Sequence, residues 1–155
     1  MPVSRHQEQP IYSHLQLLNA TIIGFMVGTY EVMGKGGTQA VINMAGRYVG
    51  REILRFAQDH EMEIRTVDDF RAFVQEQGLA GQMDFFQKGS HAYVRISDCG
   101  TCPKRVGHFE FDGTACPWGG ILSGVLEEIT GDRFSSAARL TPGQACVVEL
   151  QIIQS

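Results

Sequence analysis

Apolar residues crowd the stretch "IYSHLQLLNATIIGFMVGTYEVM", residues 11–33, on nearly every side of a helical projection. This predicts a helix over 12–33 that is buried on most sides. "GKGG" at 34–37 reads as a stop and turn, and Thr38 as the cap of a second helix from about 39 to 59. Along that second helix Ile42, Ala45, Val49, Ile53 and Phe56 recur at helical spacing. Gly46 and Gly50 stand four apart on it, a spacing that lets another backbone come close. Thr66, followed by Asp68 and Asp69, starts a third helix, with Val67, Phe70, Phe73 and Val74 inward and Gly78 at its end.

Beyond residue 80 the period falls from near 3.6 to 2. "MDFFQ" and "HAYVRIS" flank "KGS" and predict a β-hairpin, with His91, Tyr93 and Arg95 on one face and Ala92, Val94 and Ile96 on the other. Residues 98–115 read as a turn-rich insert around the short alternating run "HFEF". Pro117 opens a helix whose apolar stripe is Leu122, Val125, Leu126 and Ile129, ended by Gly131. "RFSSAARL" and "ACVVELQII" then form two strands joined by "TPGQ", with Pro142–Gly143 suited to a type II turn. The expected class is α+β: N-terminal helices packed on a four-stranded twisted antiparallel sheet, with one further helix between the two hairpins. Residues 1–11 read as a flexible N-terminus and 12–155 as a single small-molecule-binding domain.

At 155 residues the chain can bury roughly 68–70% of its unfolded surface and needs no covalent staple. A net charge of −4 argues against a nucleic-acid partner, which favours a basic face. "MPVSRHQEQP" lacks the apolar core of a signal peptide, which points to the cytoplasm. The 11–33 stretch is too often interrupted, by His14, Gln16, Asn19, Thr21 and Glu31, to be a membrane span; a buried or dimer-forming helix is expected instead.

Four cysteines carry the candidate chemistry: Cys99, Cys102, Cys116 and Cys146. In a reducing compartment they bind metal or react more often than they pair. A redox Cys-x-x-Cys wants a helix N-terminus after it, and here a loop follows. Cys99 and Cys102 can bite one ion, with Gly100 easing the turn between them. Cys116 sits at a helix start that favours thiolate, and Cys146 would complete a four-sulfur zinc set. The wider spacing matches no ribbon or finger, so buried or surface thiols with no partner stay open as a reading, Cys146 above all. "GKGGT" lacks P-loop spacing, no dinucleotide fingerprint follows a strand, and no nucleophile elbow or HExxH occurs. His91 and His108 lie near the cysteine insert but need no metal to explain them. Phe25, Tyr30, Phe85, Phe86, Tyr93 and Trp118 are candidates to line an apolar ligand cavity between helices and sheet.

"GRYVGREIL" at 46–54, "CPWGGILSG" at 116–124 and "PGQACVVEL" at 142–150 give the chain a resemblance to the 4-vinyl-reductase-type small-molecule-binding domain, across roughly residues 15–153. That family is grouped with hydrocarbon-binding proteins and shares its fold with core subunits of the transport-protein-particle tethering complex. The resemblance implies helices on one side of an antiparallel sheet, a homodimer through N-terminal helices and an apolar pocket for aromatic or tetrapyrrole-like molecules. It also implies, for members sensing aromatic effectors, a zinc held partly by an acidic residue and a cysteine shortly before the last cysteine. Ser135 and Ala138 occupy those places here, so either the metal is lost or Cys99 and Cys102 replace the missing ligands.

The expected function is therefore a non-catalytic binding or carrier protein for a hydrophobic or aromatic small molecule, a tetrapyrrole pigment precursor included. Zinc would order the 98–116 insert. A protein-assembly subunit without a small ligand is the main rival, and a small reductase or thiol oxidoreductase the third reading.

Overall fold

A computed structural model describes residues 14–99, 116–139 and 145–154. Cys102, His108, the "HFEF" run, the Pro142–Gly143 turn and residues 1–11 lie outside the described residues. In chain order the elements are α1 (His14–Asp59), α2 (Val67–Glu76), β1 (Gln82–Lys88), β2 (His91–Ser97), α3 (Trp118–Thr130), β3 (Arg133–Arg139) and β4 (Cys146–Gln154). The strands form one antiparallel sheet in the order β1-β2-β4-β3, so each hairpin contributes one central and one edge strand. The expected α+β class is what the chain adopts.

The helices lie on one face of the sheet. α2 packs on β1, α3 on β3 and β4, and α1 runs along α3. Met83, Val94, Ile96, Phe134, Val148 and Leu150 supply the sheet's inner face and are buried against α2 and α3. α2 forms where the sequence predicts it. The Thr66 hydroxyl accepts from the Asp69 N–H at 3.2 Å, and the Asp69 carboxylate accepts from the Thr66 N–H at 2.9 Å, closing a capping box. α3 departs from expectation. Instead of one apolar stripe, every residue from Trp118 to Leu126 is buried. The reason is its position: α1 covers the side that the sheet does not.

Glycine makes that position available. An added Cβ at Gly50 would lie 2.4 Å from the Ile121 carbonyl oxygen, and one at Gly46 would lie 2.8 Å from the Gly120 Cα. From the other side, a Cβ at Gly120 or Gly124 would come within 2.4 Å of the Asn43 or Arg47 carbonyl oxygen. The two helices touch backbone to backbone along four glycines. Glu127, 12% exposed, flanks this seam and stands 3.5 Å from both Arg47 and Arg51 of α1. It also accepts the Phe134 N–H at 3.3 Å, which ties the helix pair to β3.

Two expectations for α1 are corrected, Thr38 as a cap and burial of 14–33 on most sides, whereas the break expected at "GKGG" is present. Gly34 leaves helical geometry, at φ 67° and ψ −174°, and joins two helices without a loop between them. That positive φ is a conformation glycine adopts without steric cost. Thr38 is not a cap: its hydroxyl donates to the Gly34 carbonyl at 2.8 Å inside the helix. Nor is the 14–33 segment buried on most sides. Ile23 and Met26 are, but Leu18, Ile22 and Phe25 are 60%, 56% and 73% exposed. Met26 forms a small separate cluster with Ile42, eight residues to the far side of the kink.

Replacing Gly50 or Gly120 with Ala should cost about 1–3 kcal/mol, because a methyl must push two backbones apart. Gly36→Ala, at a position with open space around it, should instead stabilise by about 0.5–1 kcal/mol. Urea midpoints of the three variants check this. The Asp69 carboxyl is held below its ordinary value by hydrogen bonds from the Thr66 side chain and then from the Arg65 and Thr66 N–H groups. A depressed carboxylate stabilises above its unfolded pKa and loses that contribution as pH falls through the folded value. Asp69→Asn should therefore lower the melting temperature at pH 7, with the gap closing in acid below pH 4 or so.

Candidate functional site

The start of α3 gathers side chains from four other parts of the chain. Pro117 occupies the N-cap position and no side chain caps the helix. The first N–H groups of a helix have no intrahelical partner. Trp118 follows, 3% exposed, and its indole N–H donates to the Cys99 sulfur at 3.0 Å. That bond reaches from α3 to the residues just beyond β2. Cys116, two residues before Trp118, is also buried. Cys146 opens β4 directly opposite Ile96 of β2. The fold thus brings Cys99, Cys116 and Cys146 toward the same end of the sheet.

Bringing them near is not the same as forming a metal centre. Among the described residues no group of three or more His, Cys, Asp or Glu side chains is placed to hold an ion. The three described cysteines therefore do not by themselves fit a closed zinc set. Cys102, the remaining member of the expected four, lies outside the described residues.

Beside the glycines at the helix start is a polar group that sequence reasoning did not single out. The Gln39 amide donates from Nε2 to Asn43 Oδ1 at 2.8 Å, both on α1. A Cβ at Gly119 would lie 3.7 Å from Asn43 Oδ1 and 2.9 Å from the Ser136 hydroxyl of β3. The Gln39 Oε1 atom is buried and has no hydrogen-bond partner among the described residues. An unmet buried acceptor costs about 1–3 kcal/mol unless a donor reaches it. These three residues come from positions 39, 43 and 136, and only the α1–α3–β3 packing unites them. The one hint in the sequence is the run of small residues at 119–120, which lets α1 and β3 come close on either side.

The six aromatics expected to line one cavity fall into three places. Trp118 is in the core, with Phe85 packed against it only partly buried. Phe86 and Tyr93 oppose each other on β1 and β2 and stack on the outer face of the sheet, ring centroids 5.3 Å apart at 10°. The Arg95 guanidinium lies 5.9 Å from the Phe86 ring. His91 Nδ1, on the same face, is 2.7 Å from Glu149 Oε1. Phe25 and Tyr30 lie on the first part of α1, Phe25 largely exposed. Helical and strand periodicity tell which face a residue takes, but not which face another element covers.

Two clefts open elsewhere among the described residues, and neither contains any of the six. One, of about 750 Å³, is lined by Arg51, Arg55, Arg65 and their carboxylate neighbours. Its arginines are already engaged: Arg51 with Glu127 and Glu128, Arg55 with Glu52, Arg65 with Glu63. The other, of about 410 Å³, is apolar and lies between α1 and α2, lined by Tyr48, Val49, Ile53, Phe56, Phe73 and Leu79 with Glu52 and Gln77. No described helix is long and apolar enough to cross a membrane.

Comparison with known proteins finds a family, curated relatives and solved structures of similar fold. The profile of the MJ0207 family matches residues 37–152. "Uncharacterized protein MJ0207" of Methanocaldococcus jannaschii is 35% identical over 133 residues, 86% of this chain and 87% of that protein. A second protein of the same organism, "Uncharacterized protein MJ1342", is 36% identical over 47 residues, 30% of this chain and 41% of that protein. Among solved structures, the phenol-responsive sensory domain of the transcription activator PoxR, crystallised with phenol, shares the fold. Its TM-score is 0.59, covering 86% of this chain and 74% of that one, at 9% identity.

Trp118 tests the build of the site. Trp118→Ala should cost about 3–5 kcal/mol as a core deletion. Trp118→Phe keeps one aromatic ring but loses the N–H and the pyrrole part of the indole, so it should cost less than the Ala variant, with a hydrogen-bond share of about 1 kcal/mol beside the smaller cavity. Urea unfolding of both variants measures the difference.

Proposed function

Starting from the premise that this chain belongs to the MJ0207 family, we propose that it is a non-catalytic binding or carrier protein for a hydrophobic or aromatic small molecule, working as a homodimer through its N-terminal helices. The carrying observation is the shared fold with a sensory domain whose own ligand is phenol. The reading places the ligand's polar end at the start of α3. There Gln39 Oε1 is a buried acceptor without a partner among the described residues, open in chemistry to a donor such as a hydroxyl, and a small-molecule site needs few but well-placed polar groups. A tetrapyrrole precursor, the bulkier expectation, remains within the proposed ligand class.

Zinc is the finer part of the same proposal. Its support is the approach of Cys99, Cys116 and Cys146 to one end of the sheet. Since those three do not make a set among the described residues, Cys102 has to supply what is missing.

A second reading is an assembly subunit with no small ligand. What favours it is the amount of apolar surface on α1, where eleven large apolar side chains are more than 40% exposed.

Trp118 is the only tryptophan, so its fluorescence reports on the site directly. Titration with phenols should change that emission, and Gln39→Leu should weaken binding about two- to tenfold, the share of one hydrogen bond. Native mass spectrometry of gently purified protein should show a co-purifying lipophile. An unchanged emission at millimolar phenol, together with an empty chain recovered with a larger partner, would favour the assembly reading instead. Elemental analysis of the same sample decides the metal: about one zinc per chain, lost in Cys102→Ser, is expected, and a metal-free protein removes zinc from the proposal.

A further inference from the structure

The charge-free length of α1 and the apolar cleft between α1 and α2 are two halves of one problem. From Leu15 to Tyr30 the chain carries no Asp, Glu, Lys or Arg. Within it Leu18, Ile22 and Phe25 recur at i, i+4 and i+7 and are exposed. That spacing is how a helix presents anchors to a groove. The cleft of about 410 Å³ has the matching character. Tyr48, Val49 and Phe56 on its α1 wall are 66%, 42% and 53% exposed, and Glu52 is its one ionisable wall residue apart from Tyr48.

We propose that the 14–33 helix of one chain lies in the α1–α2 groove of a second copy of the same chain, and that the second copy's helix returns the contact. This rests on the homodimer part of the reading above and says which surfaces make the dimer. Reciprocal exchange closes the assembly at two copies, as two-fold symmetry requires. Both surfaces are apolar and almost uncharged, so each removes from water what the other exposes.

The area is sufficient. Large apolar side chains left half to three-quarters exposed keep on the order of 100 Å² each. Nine of them, six on the 14–33 helix and three on the groove wall, amount to on the order of 900 Å² per chain, against roughly 800 Å² per partner in a standard interface. A patch of that size exceeds what a monomer ordinarily leaves in water.

Other occupants fit less well. Residues 1–13, "MPVSRHQEQPIYS", carry Arg5, Glu8 and several other polar side chains, a poorer chemical match to an apolar groove. A bilayer surface matches less well, because the stretch from Leu15 to Tyr30 carries none of the Lys or Arg that draws an apolar-faced helix to anionic lipid.

Light scattering coupled to size-exclusion chromatography tests this on the full chain. The wild type should run at twice the chain mass, and Phe25→Glu and Tyr48→Glu should each halve it. A mixture of the two variants should recover the doubled mass, because the mixed pair keeps one helix and one groove intact against each other. Ile22→Glu and Val49→Glu serve as a second pair if either first variant loses its helical circular dichroism. A wild type at single-chain mass would sink the dimer reading itself. A wild-type dimer that survives Tyr48→Glu and Val49→Glu unchanged would overturn the groove assignment and leave the dimer standing.

Discussion

Four glycines hold this fold at its narrowest point. Gly46 and Gly50 of α1 meet Gly120 and Gly124 of α3 so closely that any Cβ would collide with a carbonyl oxygen or Cα across the seam. Helices usually pack with their axes 8–10 Å apart, set by the side chains between them. Here there are none between them at the contact, and α3 sinks into a slot between α1 and the sheet. That is why nine consecutive residues, Trp118 to Leu126, are buried. It is also why Glu127, at the edge of the slot, can reach two arginines and a strand N–H at once.

The seam also makes the candidate site. Once α3 is fixed against α1, its uncapped start faces Gln39 and Asn43 on one side and Ser136 on the other. Trp118 then points toward the end of β2, where its N–H meets Cys99. The polar group and the cysteine end of the sheet are thus consequences of one helix–helix contact. A larger residue at 120 would displace both. In the proposed reading a ligand donor that reached Gln39 Oε1 would satisfy an acceptor the described residues leave unmet, and so would add stability.

The kink at Gly34 has a different consequence. It separates a half of α1 that is committed to α3 from a half that is not. The committed half hides its glycines and exposes Tyr48, Val49 and Phe56 on its far face; the other half exposes most of its large apolar residues. Apolar surface of this extent drives association as the hydrophobic effect drives folding. In the proposed dimer that exposed surface is what the second copy would cover.

Much of the architecture was legible in the residues. Periodicity separated helices from strands. The Thr66–Asp69 spacing located the start of α2, and Gly46 and Gly50 marked a close approach before any partner was known. Local rules suffice there because each depends on neighbours a few positions away. The sequence could not tell that α3 would be enclosed on every side, since its stripe is consistent with a half-buried helix. It could not gather Gln39, Asn43 and Ser136, three ordinary polar residues far apart in the chain. It grouped six aromatics by type, whereas the sheet put Phe86 and Tyr93 on its outer face and Trp118 inside. The sequence by itself determined which elements form and which face of each is apolar, because those follow from spacing along one chain. Only the tertiary structure decided which apolar face is covered and which polar atoms meet, because both depend on how closely two backbones can come.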